Sequence, residues 1–508
     1  MEKKEFRALL PVLSIILVKL LVHLLAITQY DYFRDEFYYI ACSRHLDFGF
    51  VDHPPFADAV LSVITAVFGT SLLALRIIPI LLSCYIVFLT AKIAAEFGGN
   101  TFAQILAAIA AATAPVLLGT AADYSMNVFD QLFWTLGIYF FLRFLTTGRN
   151  SYLLFMGIAF GIGLQTKHLI AFLIIGLALG LLLTEHRRQL KNSWLWISLG
   201  TAFFIFLPNL IWQAVHGFPN LEFARNAALY KNTETTFLNF ISAHLLEANP
   251  ANSILLLSAL WFFFFSGTGR RFRVFGIAYV FVLIGFVFTN GKSYYIAPLL
   301  PVMFAAGAAQ LSDVVTARRW NAAKPVLIAA PILFGIIILP FALPILPVES
   351  FISYKNILGV KGHENERHEM GPLPQHYADM FGWRDLAANV VRVYKSLPDS
   401  IKKETVIYTT NYGRAGAIEF LGRKDTLPPV LCGHNNYWYW GPGQASGKYV
   451  IIVGGRMEDH VDDFEHVEQI ASSDHLYSMP YERHIPVFIG KNLKLPLRTV
   501  WDQTRHFN

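Results

Sequence analysis

The chain has 508 residues, 55% of them hydrophobic and 15% charged, with a mean hydropathy of +0.44. A soluble domain carries about 25% charged residues and has no interior large enough for this apolar surplus, so a purely soluble fold is excluded in favour of a polytopic helical membrane protein. The formal charge of +6 does not indicate nucleic acid, because the basic residues fall in short loops between apolar runs, where they encode topology.

In chain order, the charged start Met1-Glu2-Lys3-Lys4-Glu5-Phe6-Arg7 precedes a first apolar run with no small-residue cleavage site after it, which reads as a retained anchor. A membrane helix needs about 20 largely apolar residues. On that measure eleven spans are expected, at 8–28, 72–97, 102–119, 125–145, 152–166, 168–184, 194–213, 251–266, 274–290, 296–312 and 325–347. Arg143, Arg149, Arg187, Arg188, Lys191, Arg270, Arg271, Arg273, Arg318, Arg319 and Lys324 then fall on the same side as Lys3, Lys4 and Arg7. The positive-inside rule makes that side cytoplasmic and puts the C-terminal region outside.

Three outer segments remain: 29–71, 214–250 and everything after about 348. In the first, the apolar stretch from Phe56 to Phe68 is too short for a span and is expected as an interfacial helix. The last is soluble in character. It has expected strands at 406–410 and 449–453 and expected helices at 384–397 and 415–421. The expected fold is therefore a mainly α membrane domain over 1–347, followed by an extracytoplasmic α/β domain over 348–508. Cys42, Cys84 and Cys432 have no metal-ligand spacing, and an odd, sparse set argues against a disulfide framework.

The chemistry gathers at the expected outer ends of the spans. Asp35 and Glu36 follow the first, in Tyr30-Asp31-Tyr32-Phe33-Arg34-Asp35-Glu36-Phe37-Tyr38-Tyr39, and Asp52-His53-Pro54-Pro55 comes shortly after. Asp123 and Asp130 flank the start of the fourth span, Lys167 and His168 separate the fifth and sixth, and Lys292, Tyr294 and Tyr295 precede the tenth. A carboxylate can deprotonate a hydroxyl acceptor, and lysines can hold a phosphate and neutralise it as it leaves. The bland alternatives are solvated loop ends for the carboxylates and headgroup snorkelling for the lysines. Asp130, about one turn inside its span, is harder to dismiss, because a buried carboxylate needs a partner. Adjacent residues on a helix do not share a face, so one of Asp35 and Glu36 is expected to be structural. Lys19 and His23, within the first span, have no role in this scheme.

These motifs resemble the GT-C glycosyltransferases, in the branch of the protein O-mannosyltransferases and the lipid A aminoarabinose transferase. Asp35-Glu36 with Phe37-Tyr38-Tyr39 and Arg44 looks like that branch's first outer loop, and Asp52-His53-Pro54-Pro55 sits at its acidic-basic-Pro-Pro motif. Gln165-Thr166-Lys167-His168 resembles its Thr-Lys-Gly turn, and Asn290-Gly291-Lys292-Ser293-Tyr294-Tyr295 its Gly-Lys-x-x-Tyr turn. Asn411-Tyr412-Gly413-Arg414-Ala415-Gly416-Ala417-Ile418 and Gly433-His434-Asn435-Asn436-Tyr437-Trp438 resemble a bacterial subgroup, with turn and packing residues as the alternative reading.

The resemblance implies inverting transfer of one sugar from an undecaprenyl-phosphate donor to an envelope lipid, glycan or protein, at the outer face of the inner membrane. Asp35 would be the base, with Glu36 as its rival. Lys167, Lys292, Tyr294 and Tyr295 would bind the donor phosphate, with Asp123, Asp130, His168 and Arg44 in the same donor set. His53 stands where the branch has a lysine and would join the donor set, binding phosphate only when protonated. A divalent metal would be held by Asp52 with His216 or His244; no other cofactor is implied. The rival class is a secondary transporter or flippase, which would carry its polar groups near the bilayer midplane and repeat its halves. A non-catalytic scaffold or sensor would not need lysines beside carboxylates at several helix ends.

Overall fold

The computed structural model describes residues 2–231, 236–360 and 369–508, with the first described side chain at Leu9. Lys3, Lys4 and Arg7 of the topology argument thus lie outside the described side chains.

Every expected span coincides with a helix. Seven are long and apolar enough to cross a membrane by length and composition: Leu9–Ala26, Leu72–Glu96, Met126–Thr147, Ser193–Val215, Arg270–Phe288, Ser293–Ala317 and Ala323–Ala342. The other four are shorter or broken. Ser151–Leu164 and Pro250–Phe264 are short apolar helices, and Ile170–Leu182 turns by 107° into Glu185–Lys191. The expected span 102–119 is split into Thr101–Thr113 and Pro115–Gly119, because Pro115 cannot continue the helix and pushes Ala114 into extended geometry.

That break gives Lys19 and His23 their place. Backbone carbonyls freed inside an apolar domain must find donors. Lys19 Nζ reaches Leu117 O at 3.2 Å, Ser83 Oγ donates to the same oxygen at 2.9 Å, and His23 Nε2 lies 3.3 Å from Leu118 O. The polar residues of the first span thus cap a neighbouring broken helix.

Past the last span, five strands form one sheet: β1 (Thr405–Thr409), β2 (Val430–Cys432), β3 (Tyr449–Val453), β4 (Phe464–Ser473) and β5 (Ile485–Leu493), in the order β2-β1-β3-β5-β4. β1 lies parallel to both β2 and β3, with Ile407 beside Ile451, and β5 runs antiparallel to β3 and β4. β1 and β3 are the two strands read from their apolar runs, and helices Trp383–Ser396 and Tyr412–Leu421 answer the two expected helices.

The sheet domain seats on the loop after the first span through glycine. Helix Tyr412–Leu421 packs against helix Arg34–Arg44 so closely that a Cβ on Gly416 would lie 2.9 Å from Phe37 Cβ, and one on Gly413 would lie 2.5 Å from Arg34 Cγ. The same motif supplies its own cap, Asn411 Oδ1 accepting from Arg414 N at 2.9 Å. Arg414 is buried in an ion pair with Glu482 at 2.8 Å. The second motif seats beside it: Asn436 Oδ1 accepts from Val51 N at 2.7 Å, and a Cβ on Gly433 would lie 2.1 Å from Thr504 O. Both motifs are thus packing motifs of the joint between loop and sheet domain. Gly416→Val is expected to overpack it, at about 1–3 kcal/mol. A lowered melting temperature in detergent, with faster proteolysis beyond residue 347, is the expected reading.

Candidate active site

Helix Arg34–Arg44 presents Asp35, Tyr38, Tyr39 and Cys42 at helical spacing, and its neighbours decide what each does. Glu36 points away from this row into the protein and is fully buried, as is Arg76 of the second span. Arg76 Nε and Nη2 donate to the two Glu36 oxygens at 2.9 and 2.7 Å. Phe33 N and Tyr124 N add donors at 2.8 and 3.0 Å. Arg76 also donates to Ile27 O and Asp31 O. With four donors on two oxygens, Glu36 has no lone pair left for an acceptor hydroxyl.

Asp35 keeps about a third of its side chain exposed. It accepts from Tyr412 Oη at 2.9 Å and from Arg34 Nε at 3.3 Å. Arg34 in turn binds Tyr481 Oη and pairs with buried Asp379 at 3.6 Å, so the sheet domain holds both residues. Asp123 lies near enough to Asp35 and Glu36 to feel their charges. Burial pushes its carboxyl up to about 8, and those two neighbours add to the effect. Arg76 opposes that rise, so Asp123 sits between the Glu36–Arg76 pair and Asp35.

The second group forms around Lys167. Its ammonium donates to Asn127 Oδ1 at 2.9 Å and lies 4.8 and 5.4 Å from the ring centroids of Tyr295 and Tyr294. Two aromatic faces can hold a cation by about 0.5–2 kcal/mol each while leaving N–H groups for an anion. Asp130 and Lys292 are both close enough to act on the Lys167 charge, and Asp130 also accepts from Trp134 Nε1 at 2.8 Å. The stretch from Asp123 to Asp130 joins the two groups: its first residue neighbours Asp35, its Asn127 holds Lys167, and Met126 N is bonded to Tyr39 Oη. Sequence reading did not include Glu247, which accepts from Ser293 Oγ at 2.5 Å beside Lys292. Burial pushes its carboxyl up to about 8, against the Ser293 hydrogen bond.

Three expected residues of the donor set lie elsewhere. His53 is only 1% exposed, between Asp58 at 2.8 Å and Asp52 at 3.1 Å, and it stacks on Phe50. Burial opposes its charge, but Asp58 and Asp52 outweigh burial and push it up to about 10. It is a cation already matched by two carboxylates, which differs from an open lysine aimed at a phosphate. Arg44 sits at the far end of its helix, 3.8 Å from Glu419. Glu419 lines a cavity of about 830 Å³ between that helix end and the sheet domain, with Tyr437, Trp440, Arg423 and Glu404. His168 has its two ring nitrogens 2.9 Å from Asn220 and Asn209 Oδ1, and so ties outer segments together.

The metal trio does not assemble. Asp52 accepts from Tyr38 Oη at 3.0 Å, His216 is stacked on Trp212 at 4.1 Å, and His244 Nε2 is bonded to Tyr279 Oη at 3.0 Å. The aromatic neighbours claim each histidine. Among the described residues, one group of three has donor atoms all within 4.8 Å of one another, and it is Cys42, His53 and Asp58.

Comparison with known proteins bears on the fold and the family likeness. Residues 52–212 match the family model described as dolichyl-phosphate-mannose-protein mannosyltransferase. The lipid A galacturonosyltransferase RgtD of Rhizobium johnstonii is 24% identical over 237 residues, which are 46% of this chain and 49% of that protein. The match thus spans about half the length of this curated relative. Two crystal structures of ArnT from Cupriavidus metallidurans superpose on 94% of this chain and 97% of theirs, at 15% identity. The TM-scores are 0.60 for the apo state and 0.61 for the form bound to undecaprenyl phosphate. A likeness over nearly the whole length, membrane helices and terminal sheet included, gives the chain the GT-C fold.

Proposed function

We propose that this chain is an integral membrane glycosyltransferase that moves a single sugar from a polyprenyl-phosphate donor to a hydroxyl of an envelope acceptor. The observation that carries the reading is the group of Lys167, Lys292, Tyr294 and Tyr295, joined to Asp35 by the stretch from Asp123 to Asp130 and backed by apolar spans. ArnT, solved with undecaprenyl phosphate, shares the fold and supports a lipid-linked donor. The reaction runs at the outer face of the inner membrane, with the N-terminus in the cytoplasm and the sheet domain outside.

In this mechanism Asp35 takes the proton of the acceptor hydroxyl as that oxygen forms its bond to the anomeric carbon. The bond from that carbon to the phosphate oxygen breaks on the opposite face, inverting the centre and releasing polyprenyl phosphate. Lys167 and Lys292 neutralise the charge that grows on the leaving phosphate, and the two tyrosine rings hold the Lys167 ammonium in place. Tyr412 fixes the Asp35 carboxylate, and Glu36 with Arg76 fixes the helix that carries it.

The test is transfer by the purified protein from a radiolabelled undecaprenyl-phosphate sugar to envelope glycolipids. Lys167→Ala is expected to raise the donor KM by at least tenfold, with partial rescue by Lys167→Arg. Undiminished donor affinity in Lys167→Ala and Lys292→Ala together would remove the phosphate site from this place. Transport of a lipid-linked sugar with no covalent product would favour the flippase class.

A further inference from the structure

Cys42 lies in the last turn of helix Arg34–Arg44, His53 in the stretch leading into helix Phe56–Phe68, and Asp58 in the first turn of that helix. All three are buried, at 0%, 1% and 0% exposure. One donor atom from each lies within 4.8 Å of the other two. Ligands around a single zinc ion, at about 2.0–2.3 Å from it, stand about 3–4 Å apart, so small side-chain rotations close the set. Asp58 Oδ2 already lies 2.8 Å from His53 Nε2, while its Oδ1 is buried and accepts no hydrogen bond. An apolar pocket leaves a carboxylate oxygen in that state only at a cost, and a cation would remove it.

We propose that Cys42, His53 and Asp58 form a binding site for a divalent metal of zinc type, with Asp52 as the outer carboxylate. The arrangement of His53 supports this reading. Its Nε2 is bonded to Asp58, and its Nδ1 is buried 3.1 Å from Asp52 Oδ1 without a hydrogen-bond partner, so Asp52 is the carboxylate placed to orient the ring. Asp52 is itself held by Tyr38 Oη at 3.0 Å. A thiolate, an imidazole and a carboxylate suit zinc and disfavour magnesium or calcium.

The site differs from the pairing of Asp52 with His216 or His244 that the resemblance implies. It lies on the row of helix Arg34–Arg44 that carries Asp35, seven residues along, about 10 Å at 1.5 Å per residue. A metal there would clamp the loop of the acidic-basic-Pro-Pro motif to the helix that carries the proposed base, without touching substrate.

The experiment uses the full chain, purified in detergent, stripped with a chelator and dialysed against zinc or cobalt. One zinc per chain is expected by mass spectrometry of the metal, together with a rise in melting temperature. The cobalt form should show the near-ultraviolet thiolate-to-cobalt absorption band. Cys42→Ser should lose that band and lower the zinc stoichiometry, and Asp58→Asn should weaken zinc binding at least tenfold while keeping the band at saturating cobalt. Cys84→Ser, altering a buried cysteine outside this group, should leave both unchanged. Wild-type chain that retains no zinc, or a cobalt spectrum without the thiolate band, overturns the site. So does a Cys42→Ser protein that keeps both metal and spectrum. These readings need no sugar transfer and are independent of the enzymatic proposal.

Discussion

Asp35→Asn is expected to lower sugar transfer by about 10²–10⁴-fold, the contribution of a positioned general base, while donor binding persists. The amide keeps the size of the carboxylate and can still accept from Tyr412 Oη, which now bonds Asp35 at 2.9 Å, so the helix stays in place. What it loses is the capacity to take a proton. Turnover with a polyprenyl-phosphate donor, read beside a melting curve that matches wild type, separates chemistry from folding. Tyr412→Phe is the companion variant: it removes the hydrogen bond that aims the carboxylate and should fall between the two. Undiminished turnover in Asp35→Asn would take Asp35 out of the mechanism.

Arg76→Met has the largest expected effect on stability. It leaves the Glu36 carboxylate buried with two backbone donors and no counter-charge, and breaking a buried pair in this way costs about 3–5 kcal/mol. The expected result is a large drop in melting temperature in detergent and poor yield. Glu36→Gln should be milder, because an amide oxygen still serves some of the donors. The double replacement Glu36→Leu with Arg76→Met is expected to recover much of the loss, since no unpaired charge remains. Equal stability of Arg76→Met and wild type would show that the pair does not hold the outer loop.

The two variants also mark how far a sequence alone can carry the reading. Asp35 and Glu36 are neighbours with the same chemistry, and helical geometry says only that they face different ways. The partner that decides between them, Arg76, lies forty residues on and sits in the first turn of an apolar helix, with no local pattern to announce it. Lys167, Lys292 and the tyrosine pair were legible because polar residues at helix ends stand out against apolar runs. Glu247 was not, because it ends an outer helix of mixed character and gains meaning only from Ser293. His53 was read as a phosphate ligand from its place in a motif; its carboxylate neighbours, Asp58 above all, reverse that reading.

The sheet domain shows the same division. β1 and β3 are central and nearly all apolar, so composition betrays them. β4 is an edge strand with mostly exposed side chains and a bulge between Gln469 and Ala471, which breaks the alternation a strand reading relies on. β5 contains Pro486, Gly490, Lys491 and Asn492, residues that favour a loop reading. Among the described residues, seven of the expected spans are helices long and apolar enough to cross a membrane, and the other four are short, bent or, at Pro115, split.

The hydrogen bond from Tyr412 to Asp35 also bears on how such proteins can diversify. In this chain an incoming domain would have to bring a hydroxyl for Asp35, two glycines for Phe37 and Arg34, and an amide for Val51. Recombination at residue 347 would therefore break all of these contacts, the one to Asp35 included, in the same event. Lineages that build the joint this way are bound to drift by small steps in both halves together, so their histories should be read from paired substitutions across the joint rather than from shuffled modules.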